Sequence, residues 1–363
     1  MDKEEKRMNR RVAGVIVLLV GLVLVVAGLV LMLVIVPGMK QFPDDVDTTR
    51  LYEGTMPVLL NRETLQFMTD LTVELERHFQ TEETSDGLAL VLEEQELRLP
   101  DGTPLLTQIK RHAIDRKTME FRTDYPEAWR GKEGLIDRAG LVLGWPIDTE
   151  KKDYEGWSDD YRSTVPLTFS GEVEHPRAGI KTYLFTSSSE PRPIAPEAVA
   201  AMGLPTELTQ AQIGQLVGGL DINPMVAAAL PALIKQAGWP DPVPLSYVYE
   251  YQAEYWIEPT TGVLIDTHKV EIRSVGLSEE LMTPLIDRIQ ALGLVDPQIV
   301  AQFLPVTVFH LEYRATDQSV QDAKQDAQDA KDQLQLFGTT IPIVAIVAGA
   351  VLALLGLILA VRR

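Results

Sequence analysis

Two long apolar runs lie at the ends of this 363-residue chain, one from Val12 to Val36 and the other from Ile341 to Val361. Neither run contains a charged residue, and each is long enough for a helix to cross a bilayer, which takes about 20 apolar residues. The sequence between them is polar. The pattern therefore predicts two transmembrane helices, over residues 12–36 and 341–361, with one large domain between them on one side of the membrane.

Basic residues beside the two runs predict the orientation. An excess of Lys and Arg next to a span marks its cytoplasmic end, so both short tails, 1–11 and 362–363, are expected in the cytoplasm and the domain outside the cell membrane. A cleaved signal peptide is the alternative for the first run, but its apolar core would be shorter, roughly 7–15 residues, and no small-residue cleavage site follows Val36. The basic residues are Lys3, Lys6, Arg7, Arg10, Arg11, Arg362 and Arg363.

Residues 40–314 show mainly the pattern of β-strands, with alternating or β-branched runs separated by turn residues. Turns are predicted at Asp101-Gly102, at 175–179 and at 259–262, where Pro, Asp and Gly supply turn geometry. The fold class expected is α+β and membrane-anchored, with a curved antiparallel sheet or partial barrel outside the cytoplasm. The predicted strands are Thr72–Glu76, Leu88–Leu99, Gln108–Ile114, Val165–Val173, Ile180–Phe185, Tyr247–Ile257, Val263–Ile272 and Val306–Arg314.

Three helical segments are predicted within or beside this domain. A helical insert over 196–237, with starts at Thr206-Glu207 and Asn223-Pro224, forms a cap on the sheet; its segment Met225–Ile234 is apolar on nearly every face. A further helix is expected over Ser278–Ala291. Residues 315–337 predict a solvated stalk helix leading to the second span, with a coiled-coil partner site as the alternative.

Tyrosines recur on one face of the hairpin that turns at 259–262. Tyr247, Tyr249, Tyr251 and Tyr255 share that face because side chains of a strand alternate. Tyrosine offers an apolar ring with a polar tip, so this face is a candidate wall for a ligand cavity under the helical cap. The alternative is a sheet face packed on its own core. The candidate ligand-binding residues are Tyr247, Tyr249, Tyr251, Tyr255, Met225 and Leu230.

Small residues recur along both apolar runs. Gly14, Gly21 and Gly28 are spaced by seven residues, almost two helical turns, and therefore share one face. The second run carries a similar series. Small residues allow helices in a membrane to approach closely, so the two spans are predicted to pack antiparallel through these positions. The residues of the second series are Ala345, Gly349, Ala353 and Gly356, followed by Ala360.

Charge and chemistry narrow the function classes. The net charge is −19, which disfavours nucleic acid as a partner because nucleic-acid binding requires a basic surface. The chain has no cysteine, its five histidines are scattered, and no phosphate-binding loop, zinc-protease helix or serine-hydrolase elbow occurs. Acidic clusters at 44–47 and 158–160 suit weak calcium binding or plain solvation. No catalytic residue, metal site or cofactor is predicted.

The chain contains the motifs Arg138-x-Gly140-Leu141, Trp145–Asp159, Gly179–Phe185, Tyr255–Val263 and Ala113–Thr118. Together with the two apolar runs they resemble an actinobacterial envelope family, the PorA-like porins, once known only as a domain of unknown function. The resemblance covers nearly the whole chain, although the insert over 196–237 is longer than the family pattern. It implies channel formation and supplies no catalytic residue. Separately, the segment 256–263 is similar to a hairpin of periplasmic lipoprotein carriers, which enclose acyl chains.

These observations support two hypotheses of function and one minor alternative. The first is non-enzymatic binding of an apolar envelope ligand such as a lipid, in a cavity between sheet and cap. The second is a channel or oligomeric scaffold, in which a homo-oligomer assembles in the lipid bilayer and the outer domain serves as a vestibule. An envelope glycan or lipid hydrolase is the minor alternative, since paired carboxylates from distant strands cannot be recognised in the sequence.

Overall fold

The computed structural model describes residues 3–61, 64–218, 238–277, 280, 281, 283, 284, 287 and 305–361. One antiparallel sheet curved into a half-barrel dominates this part of the chain. Its strand order is β4-β3-β2-β1-β11-β10-β9-β7-β6-β5, and β8 pairs with β9. The strands are β1 (Asp47–Leu60), β2 (Phe67–Ser85), β3 (Leu88–Arg98), β4 (Pro104–Asp115), β5 (Tyr154–Ser158), β6 (Ser163–Glu174), β7 (Lys181–Pro193), β8 (Glu207–Leu208), β9 (Val243–Ile257), β10 (Leu264–Leu277) and β11 (Val306–Ala315).

The predicted strands and hairpins are confirmed. Gly102 and Gly262 adopt positive φ angles of 87° and 74° in their turns, a conformation that costs glycine little. The expected curved antiparallel sheet is likewise observed. β1 was not predicted, because its sequence lacks a clean alternation, yet it lies at the centre of the sheet between β2 and β11. At Gly54 a Cβ would lie 2.3 Å from the carbonyl oxygen of Glu312, so a side chain there would force β1 away from β11.

Six α-helices have bounds within the described part of the chain, and residues 280, 281, 283, 284 and 287 are helical as well. The prediction of a helix start at Thr206-Glu207 is wrong: Glu207 and Leu208 pair with β9, and the next helix begins only after Thr209, whose hydroxyl accepts a hydrogen bond from the Gln212 amide. The predicted segment Met225–Ile234 and the start at Asn223-Pro224 lie outside the described residues. So does most of Ser278–Ala291. The helices are α1 (Lys3–Val30), α2 (Val36–Met39), α3 (Pro196–Ala201), α4 (Gln210–Gly218), α5 (Asp317–Gln335) and α6 (Ile341–Val361).

The two ends of the chain form long continuous helices. A π-helical turn, Leu31–Ile35, joins α1 to α2, and a second, Leu336–Thr340, joins α5 to α6. The resulting helices, Arg10–Met39 and Asp317–Val361, are long and apolar enough to cross a membrane by length and composition. The division of the chain into tails, spans and an outer domain stays a prediction.

Helix α5 is docked on the sheet, which corrects the expectation of a solvated stalk. Val320, Ala323 and Ala327 on its weak apolar stripe are almost completely buried. The Ser319 hydroxyl accepts a hydrogen bond of 2.8 Å from the Leu51 amide of β1. The stripe of small side chains allows this close contact between helix and strand, so helix α5 is part of the folded domain.

The irregular segment between β4 and β5 closes the open side of the half-barrel. Its residue Phe121 bridges to β4 at Ile114, and Leu141 bridges to β5 at Gly156. Gly140, with φ of 68°, lies so close to β5 that a Cβ would sit 2.5 Å from the Glu155 carbonyl oxygen. The edges of the sheet are thereby covered, and an interior is enclosed.

Candidate functional site

The concave face of the half-barrel encloses a cavity of about 820 Å³. All four tyrosines singled out in the sequence line it: Tyr247, Tyr249, Tyr251 and Tyr255. The first three are at least nine-tenths buried. Met225 and Leu230, the other candidate ligand-binding residues, lie outside the described residues. The volume falls in the range of about 300–1,000 Å³ that small-molecule sites occupy.

The buried tyrosine hydroxyls already have partners inside the protein. Tyr249 and Tyr251 stack with ring centroids 5.5 Å apart. Tyr249 donates a 2.7 Å hydrogen bond to Glu271, and the Tyr251 hydroxyl lies 2.8 Å from that of Ser187. The tyrosines therefore present mainly their ring surfaces to the cavity.

Charged side chains from β10 share the cavity with these rings. Lys269, Glu271 and Arg273 alternate along β10 and lie opposite Ala253, Tyr251 and Tyr249 of β9. Burial alone would raise the pKa of Glu271, but the charges of Lys269, whose Nζ lies 2.7 Å from the carboxylate, and Arg273 lower that pKa to about 2. The cavity is therefore not purely apolar: every second residue of this β10 segment brings a charge inside. The alternation could have been seen in the sequence.

A second charged cluster lies on β2, β3 and β4. The Arg77 guanidinium donates to Glu93 at 2.9 Å, and His112 Nε2 lies 2.9 Å from the same carboxylate. Burial opposes the charge of Glu93, yet Arg77 and His112 hold its pKa well below the usual range. Burial lowers the pKa of His112, which favours its neutral form. Glu93 and His112 are only 2% and 3% exposed.

Two adjacent aspartates in the turn between β5 and β6 form ion pairs across the cavity. Asp159 accepts ion pairs from Lys110 at 2.9 Å and Arg138 at 3.2 Å, on the β4 side. Asp160 pairs with Arg273 of β10 at 2.7 Å. Both aspartates of the acidic cluster at 158–160 are therefore paired with cations of the protein itself. Within the described residues no group of three or more His, Asp or Glu side chains is arranged to hold a metal ion.

The arrangement of carboxylates does not favour acid–base catalysis. A general acid needs a pKa raised towards neutrality, whereas neighbouring cations lower the pKa values of Glu93, Asp159 and Glu271. Each of these three carboxylates is bound to Lys or Arg within the fold.

Three buried polar atoms along the cavity lack a hydrogen-bond partner among the described residues. They are Nδ1 of His112, Nε1 of Trp145 and Nε of Arg162, and all three residues line the cavity. Trp145 also packs against Phe185 and Tyr255 at ring distances of 5.2 and 5.4 Å. Leaving a buried polar atom unpaired costs free energy.

The terminal helices contact each other at the glycines predicted for packing. A Cβ on Gly21 would lie 2.4 Å from the Ala353 amide nitrogen and 2.5 Å from the Gly349 carbonyl oxygen. Gly14 faces Gly356 in the same way, and Gly28 faces residues 342 and 346. The contacts run antiparallel. Ala345 is half-buried but is not among the nearest neighbours of these glycines.

The outer surface of this helix pair is apolar. Among the described residues, all exposed large hydrophobic side chains except Leu51 and Ile109 lie on the two terminal helices and their π-helical turns. Fold and site together define a protein with a pair of terminal helices, apolar on their outer surface, and a half-barrel whose interior is charged and aromatic.

Comparison with known proteins identifies the family. The chain belongs to the family described as Porin PorA, which matches residues 13–358 and so includes both terminal helices and the half-barrel. A curated relative named Porin PorA, from Corynebacterium resistens, is 22% identical over 332 residues, covering 81% of this chain and 77% of the relative. The predicted resemblance to PorA-like porins is therefore confirmed.

Proposed function

We propose that this chain is an envelope membrane protein of the PorA type that forms a channel as an oligomer. The observation that carries the proposal is the family match over residues 13–358, because it includes both terminal helices as well as the half-barrel. It favours the channel hypothesis over lipid handling as the principal function, and a channel over an enzyme.

In this proposal the terminal helices cross the cell membrane, with both tails in the cytoplasm and the half-barrel outside. The apolar outer surface of the helix pair suits contact with lipid tails. The basic residues beside the two spans support the orientation. The lipid bilayer is then the first partner of the chain.

A conducting path requires several copies. Gly21 and Gly349 are used for packing within one chain, and neither span contains an ionisable residue. Two apolar helices in contact leave no hydrophilic route through a single copy. The path therefore runs between copies, along outward faces such as those that carry Val23 and Leu354, which are 66% and 61% exposed.

The test is reconstitution of the full-length chain in planar bilayers, together with native mass spectrometry of the same preparation. We expect stepwise conductance and a defined oligomer. Because the chain has no cysteine, single variants Val23→Cys and Leu354→Cys are addressable by a charged thiol reagent, which should change the conductance of at least one of them. Val25→Cys, placed against Gly349 inside the helix pair, is the matched control. A monomer without conductance would contradict the proposal.

A second function, ligand holding by the half-barrel, is favoured by the cavity of about 820 Å³ with its tyrosine wall. Because charges from β10 and from Arg77 and Glu93 line the same space, the ligand proposed is amphiphilic and not purely apolar. Native mass spectrometry of the full-length chain tests it: a reproducible adduct of lipid-like mass supports ligand holding. An adduct-free mass that persists after incubation with envelope lipid extract would count against it.

A further inference from the structure

The cavity is basic, although the chain as a whole is strongly acidic. Six Lys and Arg side chains among the described residues line it, against four Asp and Glu side chains. The chain carries a net charge of −19. An interior with two surplus cations attracts anions, and it does so more strongly than a solvated surface because water screens it less. The cations are Arg77, Lys110, Arg138, Arg162, Lys269 and Arg273; the anions are Glu93, Asp159, Asp160 and Glu271.

The surplus is confined to one part of the cavity. Glu93, Asp160 and Glu271 each balance one cation within bonding distance. Asp159, in contrast, is shared by Lys110 and Arg138. Arg162 lies three residues after Asp159, in the same turn between β5 and β6. It makes no ion pair within the described part of the chain, and its buried Nε has no hydrogen-bond partner there.

One end of the same cavity is apolar. Leu59 and Leu60 lie at the end of β1, Leu245 at the start of β9 and Val275 at the end of β10. Because neighbouring strands run antiparallel, these positions come together at one end of the sheet. All four side chains line the cavity. The space is therefore amphipathic along the strands, with cations midway and aliphatic side chains at this end.

We propose that the cavity binds an anionic amphiphile, with its oxyanion head at Arg162 and its acyl chain among the aliphatic residues at the end of β1 and the start of β9. The proposal rests on the ligand-holding function above and specifies its ligand class. Arg162 supplies a guanidinium donor, a group whose geometry suits carboxylate and phosphate oxygens.

Fluorescence titration tests the proposal with the full-length chain in nanodiscs of neutral phosphatidylcholine, empty nanodiscs serving as the blank. The probe is cis-parinarate, a long-chain carboxylate, and the neutral comparison is the corresponding alcohol. We expect the carboxylate to bind about tenfold more tightly than the alcohol, since a charge-assisted hydrogen bond is available only to the acid. This comparison needs no variant.

The variant Arg162→Gln should reduce parinarate affinity about tenfold and leave the alcohol unchanged. The matched control is Arg314→Gln on the outer face of β11, where the arginine is 59% exposed, and it should bind parinarate like the unaltered chain. Displacement of parinarate by lysophosphatidate supports the shared oxyanion chemistry, and displacement by carboxylates alone supports the same site with a carboxylate head.

Two results would overturn the proposal, and they differ in what they say about ligand holding. Equal affinity for acid and alcohol would refute the anion site while leaving ligand holding intact. Binding of neither probe above the blank would refute both. Neither result bears on conductance, so the channel proposal is tested separately.

Discussion

The terminal helix pair and the interior of the half-barrel are held together in opposite ways. In the helix pair, Gly14, Gly21 and Gly349 have no side chain, and the backbones of the two helices can therefore come into direct contact. In the half-barrel, ion pairs such as Arg77–Glu93 fill the interior with charge. The two regions should therefore be destabilised by different substitutions: the helix pair by added side-chain volume, and the barrel by the loss of a single charge.

The largest effect is expected from Glu93→Gln. Glu93 is 2% exposed and neutralises Arg77, which is 18% exposed, so the isosteric amide leaves a largely buried cation without its counter-ion. Breaking a buried ion pair in this way costs about 3–5 kcal/mol. Urea unfolding of the full-length chain, followed by tryptophan fluorescence, measures the loss.

Glu74→Gln is the control for that experiment. Glu74 pairs with Arg98 at 3.3 Å and is 50% exposed, so its removal should cost less than about 1 kcal/mol. If the two variants lose the same free energy of unfolding, the interior ion pairs do not stabilise the barrel more than surface ion pairs do.

Acid should lower the free energy of unfolding by protonating Glu271. The expected loss is up to about 3 kcal/mol, since a shift of one pKa unit corresponds to about 1.36 kcal/mol. The pKa of Glu271 is about 2 in the folded chain against 4.5 for the free group, because Lys269 and Arg273 outweigh the effect of burial. A lowered pKa stabilises the fold above pH 4.5, and this stability is lost as the pH falls from 4.5 towards 2.

The free energy of unfolding measured across that pH range should therefore decline, and the decline should be shallower in Glu271→Gln. Glu53→Gln, which removes a half-exposed carboxylate paired with Arg314, provides the control and should keep the full slope. An unchanged slope in Glu271→Gln would contradict the assignment.

A smaller effect, about 1–3 kcal/mol, is expected from Gly21→Leu in the helix pair. The added side chain meets the backbone of α6 at 2.4 Å, so the two helices must separate. Spin labels on single cysteines at Arg11 and Val361, at adjoining ends of α1 and α6, should report a longer and broader distance distribution.

Ala27→Leu adds similar volume on the exposed face of α1 and should leave the distances unchanged. If Gly21→Leu behaves in the same way as Ala27→Leu, the glycine contacts do not determine how the helices pack.

The sequence predicted those parts of the fold that depend on local patterns. Turn residues such as Gly102 and Gly262 and the alternation of Tyr247 to Tyr255 determine the hairpins locally, so they were found. β1 was missed because its sequence lacks a clean alternation, and its pairing with β11 joins residues far apart in the chain. The motif around Arg138 and Gly140 was recognised only as a resemblance.

The candidate site was predicted in part. Four tyrosines were located on the cavity wall, but the interior charges were not expected. Lys269, Glu271 and Arg273 read as a solvated face when β10 is taken alone, although the predicted hairpin pairs Glu271 and Arg273 with tyrosines of β9. Asp160 pairs with Arg273, which lies more than a hundred residues further along the chain, and Asp159 pairs with Lys110 of β4. No local sequence pattern connects these partners.

The unbroken helix Asp317–Val361 has a mechanical consequence. At 1.5 Å per residue its 45 residues extend about 68 Å, and its first half is fixed to the sheet through Val320, Ala323 and the Ser319 hydroxyl. Under the proposed topology its second half spans the bilayer. The helix then couples the two regions mechanically. A tilt or rotation of the span moves the barrel, and a change of shape in the barrel moves the span.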